Sequence, residues 1–161
     1  MEMRGKYFFL SNFAPCTIRV TINDKELIFS SVEAAFQAHK NKELAEKFIL
    51  LKPLEAKKYG KKIPLTTPNW DIERVYVMAK LLILKFRDPD LFLKLKKIEG
   101  EIVEDNYWGD TYWGRCKGVG ENMLGKLLMC IRDTNNDYNK VIEFAEKELI
   151  RNFSEKIEKI N

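Results

Sequence analysis

The sequence predicts an α+β fold: a single, mainly helical domain carrying one small antiparallel β element. Two features point there. One pair of short β-branched runs flanks a polar turn near the N-terminus, and most of the remaining chain shows apolar residues at helical spacing. The length of 161 residues and the balance of 45% apolar to 32% charged residues suit one packed core beside a ligand cleft, so residues 1–161 are read as one unit.

Taken in order, Thr17 to Ile22 and Glu26 to Phe29 read as a hairpin turning at Asn23-Asp24. Ser30 or Ser31 then caps a helix reaching about Lys40, with Glu33 in its first turn, and a second helical stretch begins near Glu43. Pro53 opens another helix that Gly60 ends, and residues 61–69, with two prolines and two threonines, form a loop. A long amphipathic helix runs from Trp70 to about Phe86, and Asp88-Pro89 caps and starts the next. Glu101 to Glu104 reads as a short strand. Asp105 to Gly120, rich in Gly, Trp, Tyr and Asp, has no usable period and reads as a functional loop. Glu121 to Ile131 resumes as helix. In a last helix, residues 137–160, steps of three and four predict burial of Ile142, Ala145, Leu149, Phe153, Ile157 and Ile160.

Charge and cysteine content narrow the function classes. The net charge of +4, from 28 basic and 24 acidic residues, is compatible with an anionic substrate but falls short of the basic face of a dedicated nucleic-acid binder. The neighbouring Lys57-Lys58 and Lys61-Lys62 read as a solvated helix face. Cys16, Cys116 and Cys130, with the lone His39, suggest neither a disulfide framework nor a metal site. With no signal peptide and no membrane span apparent, the expected location is the cytoplasm.

Two clusters are candidates for chemistry. In Ser31 to Lys40, the side chains of Glu33, Gln37 and Lys40 share a helical stripe with Phe36, and a carboxylate at a helix N-terminus is favoured as the anion by the macrodipole. The plainer alternative is an ordinary first-turn glutamate. In Trp108 to Gly114, a glycine-bearing loop offers aromatic faces for a planar base and Asp110 for a ribose; alternatively the tryptophans pin the loop and Asp110 makes a turn bond. Arg74 lies one turn beyond Trp70, where it is either a phosphate grip beside a ring or an exposed charge. Gly120 to Lys126 spells Gly-x-x-x-x-Gly-Lys, but Leu127 replaces the hydroxyl that a magnesium-nucleotide loop requires and no apolar strand precedes it, so nucleotide triphosphatase chemistry is rejected. His39 has no nucleophile motif beside it.

In order, the chain carries Phe9-Leu10-Ser11-Asn12-Phe13, Ser31-Val32-Glu33-Ala34-Ala35-Phe36-Gln37-Ala38 with Lys40, then Trp70, Met78, Lys85-Phe86, Asp110-Thr111-Tyr112-Trp113-Gly114, and Gly120-Glu121-Asn122-Met123-Leu124-Gly125-Lys126 through Met129 with Arg132. This set, spanning residues 7–132, resembles the NADAR (YbiA-like) family. The resemblance implies a YbiA-like fold and N-glycosidase activity on ribosylaminopyrimidine phosphates of riboflavin biosynthesis or on ADP-ribosyl-guanine in DNA, with no cofactor and no metal. It implies catalytic roles for Glu33 and Asp110 and substrate contacts from Trp70 and Trp113, with Asn12, Gln37, Lys40, Arg74 and Asn122 as further binding candidates. Arg74 stands where a lysine is expected, and the segment from Trp113 to Gly120 is short, which sets the substrate-facing rim apart.

Cleaving a ribose C–N bond builds positive charge on the sugar, which one carboxylate would stabilise while another deprotonates water. Lys40, Arg74 or Arg132 would hold phosphate. The expected partner is a phosphorylated ribosyl small molecule or an ADP-ribosylated nucleic acid. The competing expectation is a non-catalytic ADP-ribose or nucleotide-binding module; paired acidic groups, of little use to a pure polyanion binder, separate the two.

Overall fold

A computed structural model describes residues 2–161. The hairpin forms as expected: β1 (Ile18–Ile22) pairs antiparallel with β2 (Lys25–Phe29), Ile18 opposite Phe29 and Ile22 opposite Lys25. Asn23 and Asp24 both take positive φ, 49° and 63°, which gives the turn the twist that matches paired strands. A 3-10 segment, Gly5–Leu10, precedes the hairpin.

Ser31 caps α1 (Val32–Ala38) by accepting from the Ala34 N–H at 3.1 Å, and every residue of this short helix is buried. The stretch after it is a 3-10 segment, Lys42–Phe48. Helix α2 (Pro53–Lys62) runs through Gly60 and ends two residues later; the glycine has helical geometry and serves close packing instead of termination.

Helix α3 (Trp70–Lys85) crosses the middle of the molecule, against α1, β1, α5 (Met123–Asp133) and α6 (Tyr138–Ile160). Val75, Met78, Ala79 and Leu82 form its fully buried face. Asp88 caps α4 (Pro89–Lys96) by accepting from the Asp90 and Leu91 N–H groups.

Besides the end of α2, two further expectations fail here. Residues 101–104 do not form a strand; the ladder lies just beyond, where β3 (Asp105–Asn106) pairs in parallel with β4 (Arg115–Cys116) inside the loop itself. The outer half of α6 is not buried. Leu149 marks the end of its packed face, while Phe153, Ile157 and Ile160 are 48%, 57% and 83% exposed because the helix outruns the core. Among the described residues, no helix is long and apolar enough to cross a membrane, and the three cysteines are free.

Candidate functional site

A cavity of about 580 Å³ opens between α1, α2, the 9–13 segment and the 104–113 loop. The expected site residues Asn12, Glu33, Gln37, Lys40, Asp110 and Trp113 all line it. Carboxylates 77 residues apart in sequence therefore share one chamber.

Each is held by its own element. Glu33 is 8% exposed; its backbone N–H donates to the Asn12 carbonyl at 3.0 Å, and its Oε1 accepts from Gln37 Nε2 at 2.8 Å, one turn on along α1. Gln37 in turn needs Gly60, where a Cβ would overlap its amide. Burial pushes the Glu33 carboxyl above its ordinary value, opposed by the Gln37 hydrogen bond and the Lys57 and Lys40 charges and reinforced by Asp110. The macrodipole was expected to favour the anion, but the carboxyl shifts the other way, with burial as the largest cause.

Asp110 Oδ1 accepts from the backbone N–H groups of Tyr112 at 3.0 Å and Trp113 at 2.9 Å. One Asp110 oxygen makes the turn bond that the plainer alternative expected, and the residue also borders the cavity. Buried Asn106 clamps the same loop, its Nδ2 donating to the carbonyls of Asp110 and Arg115 and its Oδ1 accepting from the Asp110 N–H.

Three expected contacts lie elsewhere. Trp70 is one ring removed, its centroid 5.3 Å from Phe36, which itself meets Trp113 edge-on at 5.7 Å. Arg74 lies 3.8 Å over the Tyr112 ring, bracing the loop from behind, and does not border the cavity. Asn122 is fully buried and structural: its Oδ1 accepts from the Glu104 N–H and its Nδ2 donates to the Ile102 carbonyl. Arg132, also considered for phosphate, donates to the Ile98 and Gly100 carbonyls and pairs with Asp133.

Lys57 and Lys61, read as solvent-facing, line the cavity one turn apart on α2, and Arg4 joins them at its edge. Lys85, part of the Lys85-Phe86 motif, is 1% exposed and donates to the Ser11 carbonyl at 2.9 Å, anchoring the segment that carries Asn12; burial lowers its pKa to about 8. His39 sits in the helix backbone's own hydrogen bonding, its Nδ1 2.6 Å from the Ala35 carbonyl, and burial lowers its pKa.

The glycine-lysine run is closed to phosphate. The N–H groups of Asn122, Met123 and Leu124, which a phosphate would need at the start of α5, donate to the carbonyls of Gly114, Tyr112 and Trp113, and Lys126 pairs with Glu148.

Sequence reasoning passed over Glu104. It lines the cavity, its Oε2 is buried without a hydrogen-bond partner, and burial, then the charges of Asp110 and Glu33, raise its pKa to about 7. Its position directly before the aromatic loop was the only signal, and five unremarkable residues, Glu101 to Asp105, masked it.

Among known proteins, the family model of the NADAR domain matches residues 1–134. The chain is 26% identical over 146 residues to the N-glycosidase R617 of Acanthamoeba polyphaga mimivirus, covering 78% of this chain and 86% of that protein. The solution structure of the Escherichia coli protein YbiA superposes with a TM-score of 0.69 at 30% identity, over 83% of each chain.

Proposed function

Since the chain belongs to the NADAR domain family, we propose that it is a hydrolase that cleaves the N-glycosidic bond of a phosphorylated ribosyl compound in the cytoplasm. The observation that carries this reading is the convergence of Glu33 and Asp110 on one cavity edged by Lys40, Lys57, Lys61 and Arg4. Cations at the edge suit phosphate, and acidic oxygens inside suit a sugar that becomes cationic. The name of the mimivirus relative points the same way.

In this mechanism Trp113 and Phe36 form the apolar wall against the sugar or base. Asp110, oriented through Oδ1, offers its remaining oxygen to the positive charge at the anomeric carbon. Glu33 takes a proton from the attacking water, a role favoured by its raised proton affinity and by the Gln37 bond that fixes its direction. A water adds across the C–N bond, giving ribose phosphate and the free amine. No step of this scheme requires a metal or organic cofactor.

Riboflavin-pathway ribosylaminopyrimidine phosphates and ADP-ribosyl-guanine in nucleic acid are the two substrate classes that fit. Incubation of the protein with each, and with free NAD, followed by mass spectrometry of released base and ribose phosphate, tests the proposal. Release from one or both compounds is expected. Tight ADP-ribose binding with no release from any would establish a binding module instead.

A further inference from the structure

We infer that Glu104 is the acid of this site, delivering a proton to the leaving nitrogen as the ribose C–N bond breaks, and that buried Asn122 is the residue that positions it. The inference rests on the N-glycosidase reading and adds a third group to it.

Geometry carries the argument. An amine leaves a sugar far more readily as a neutral species than as an anion, so a site whose other two carboxylates serve as base and as charge stabiliser still lacks a proton donor. Glu104 borders the same cavity as Glu33 and Asp110, and its Oε2 is buried without a partner, the arrangement of a donor waiting for an acceptor. Its backbone is fixed on both sides. The N–H donates to Asn122 Oδ1 at 3.0 Å, and the carbonyl accepts from the Arg115 N–H at 2.9 Å. Gly114 lies so close that a Cβ there would strike the Glu104 carbonyl. Asn122 achieves its hold with φ 53° at full burial, an arrangement that costs energy and that asparagine tolerates better than most residues.

The groups facing Glu104 favour its protonated form. Burial acts first, followed by Asp110 on the loop and Glu33 on α1, with Lys57 on α2 opposing, so that its pKa is raised to about 7. Arg4, Lys40 and Lys61 stand on the cavity wall beyond. The Glu104 proton passes to nitrogen while the C–N electron pair goes to the same nitrogen. Water oxygen then bonds to the anomeric carbon and gives its proton to Glu33. Glu104 is reprotonated from solvent as Glu33 releases its proton, and one water is consumed.

The test compares a ribosylaminopyrimidine phosphate with 4-nitrophenyl ribofuranoside 5-phosphate, whose leaving group needs no proton, in the parent and in Glu104→Gln. The variant is expected to lose on the order of 100-fold in kcat on the amine and less than about threefold on the nitrophenyl compound. Parent kcat on the amine should fall as pH rises through the neutral range, a limb absent from the nitrophenyl profile. Equal losses on both compounds, or parent rates on both, would overturn the acid role alone. A flat parent profile between pH 6 and 8 would also overturn it, without need of any variant. Release of nothing by the parent from either compound, together with none from ADP-ribosyl-guanine, would overturn the N-glycosidase reading, and the acid role with it. Asn122→Asp, which keeps the acceptor to the Glu104 N–H, should retain more of the amine activity than Asn122→Ala; the reverse order would contradict the positioning role.

Discussion

At the scale of single residues, the site is governed by desolvation more than by any one partner. Glu104 has its carboxyl raised from an ordinary 4.5 to about 7 by burial and by Asp110 and Glu33. The folded chain therefore holds this proton more tightly than the unfolded chain. Stability from this group is full below about pH 4.5 and is lost as pH rises through 7, on the order of 3 kcal/mol for a shift of this size. Urea unfolding at pH 5 and pH 8 should show Glu104→Gln losing less stability over this interval than the parent; an identical decline in both would show that the carboxyl is not perturbed. Gly60 offers a second case. On an ordinary helix, alanine at a glycine position gains about 1 kcal/mol, but here the added Cβ meets the Gln37 amide that orients Glu33. Gly60→Ala should cost about 1–3 kcal/mol in urea unfolding through overpacking, and a gain would show that Gln37 moves freely. Glu33 and Gln37 were legible in the sequence because helical spacing puts them on one stripe; Lys40, expected on the same helix, lies in the turn just past its end at Ala38. Glu104 was not, because no periodicity links a residue before an irregular loop to one on a helix 71 positions earlier.

At the scale of elements, the helices and the hairpin were legible because each carries a local signal: Ser31 as a cap, Asn23-Asp24 as a turn, Asp88-Pro89 as a start. The 104–124 region was legible only as irregular. Its order comes from long-range backbone pairing, with loop carbonyls 112–114 closing the start of α5 and Asn122 joining α5 to Glu104 and Ile102. Such pairing leaves no mark on composition. Trp70 was implied as a substrate contact by the family resemblance, and Arg74, one turn beyond it, was either a phosphate grip or an exposed charge, yet Trp70 packs on Phe36 and Arg74 on the Tyr112 ring instead of bordering the cavity. In α6 the apolar spacing continues past Leu149, but the core does not follow it. Leu149→Ala should therefore cost about 2–4 kcal/mol, whereas Phe153→Ser should change stability by less than about 0.5 kcal/mol. Comparable losses in the two variants, measured by thermal unfolding, would show that the outer half of α6 packs against the body.

At the scale of the whole molecule, charge is sorted within a chain whose net charge of +4 gives little away. Acidic Glu33, Glu104 and Asp110 meet inside the cavity, while Arg4, Lys40, Lys57 and Lys61 stand on its walls. Lys57 and Lys61 belong to α2, so the packing of α2 against α1 sets two cations on the cavity that Glu33 of α1 also lines. Lys57→Ala combined with Lys61→Ala should raise KM for a phosphorylated ribosyl substrate about 10-fold or more, as expected for losing a charge-assisted contact, with kcat changed less than about threefold. Unchanged KM would show that phosphate binds elsewhere. The proposed hydrolysis falls to the carboxylates of this one cavity. Single-turnover cleavage by Glu33→Gln, with folding checked by its thermal midpoint, tests it most directly. A rate reduced on the order of 100-fold in a folded variant is the predicted result, and cleavage at the parent rate would contradict the account.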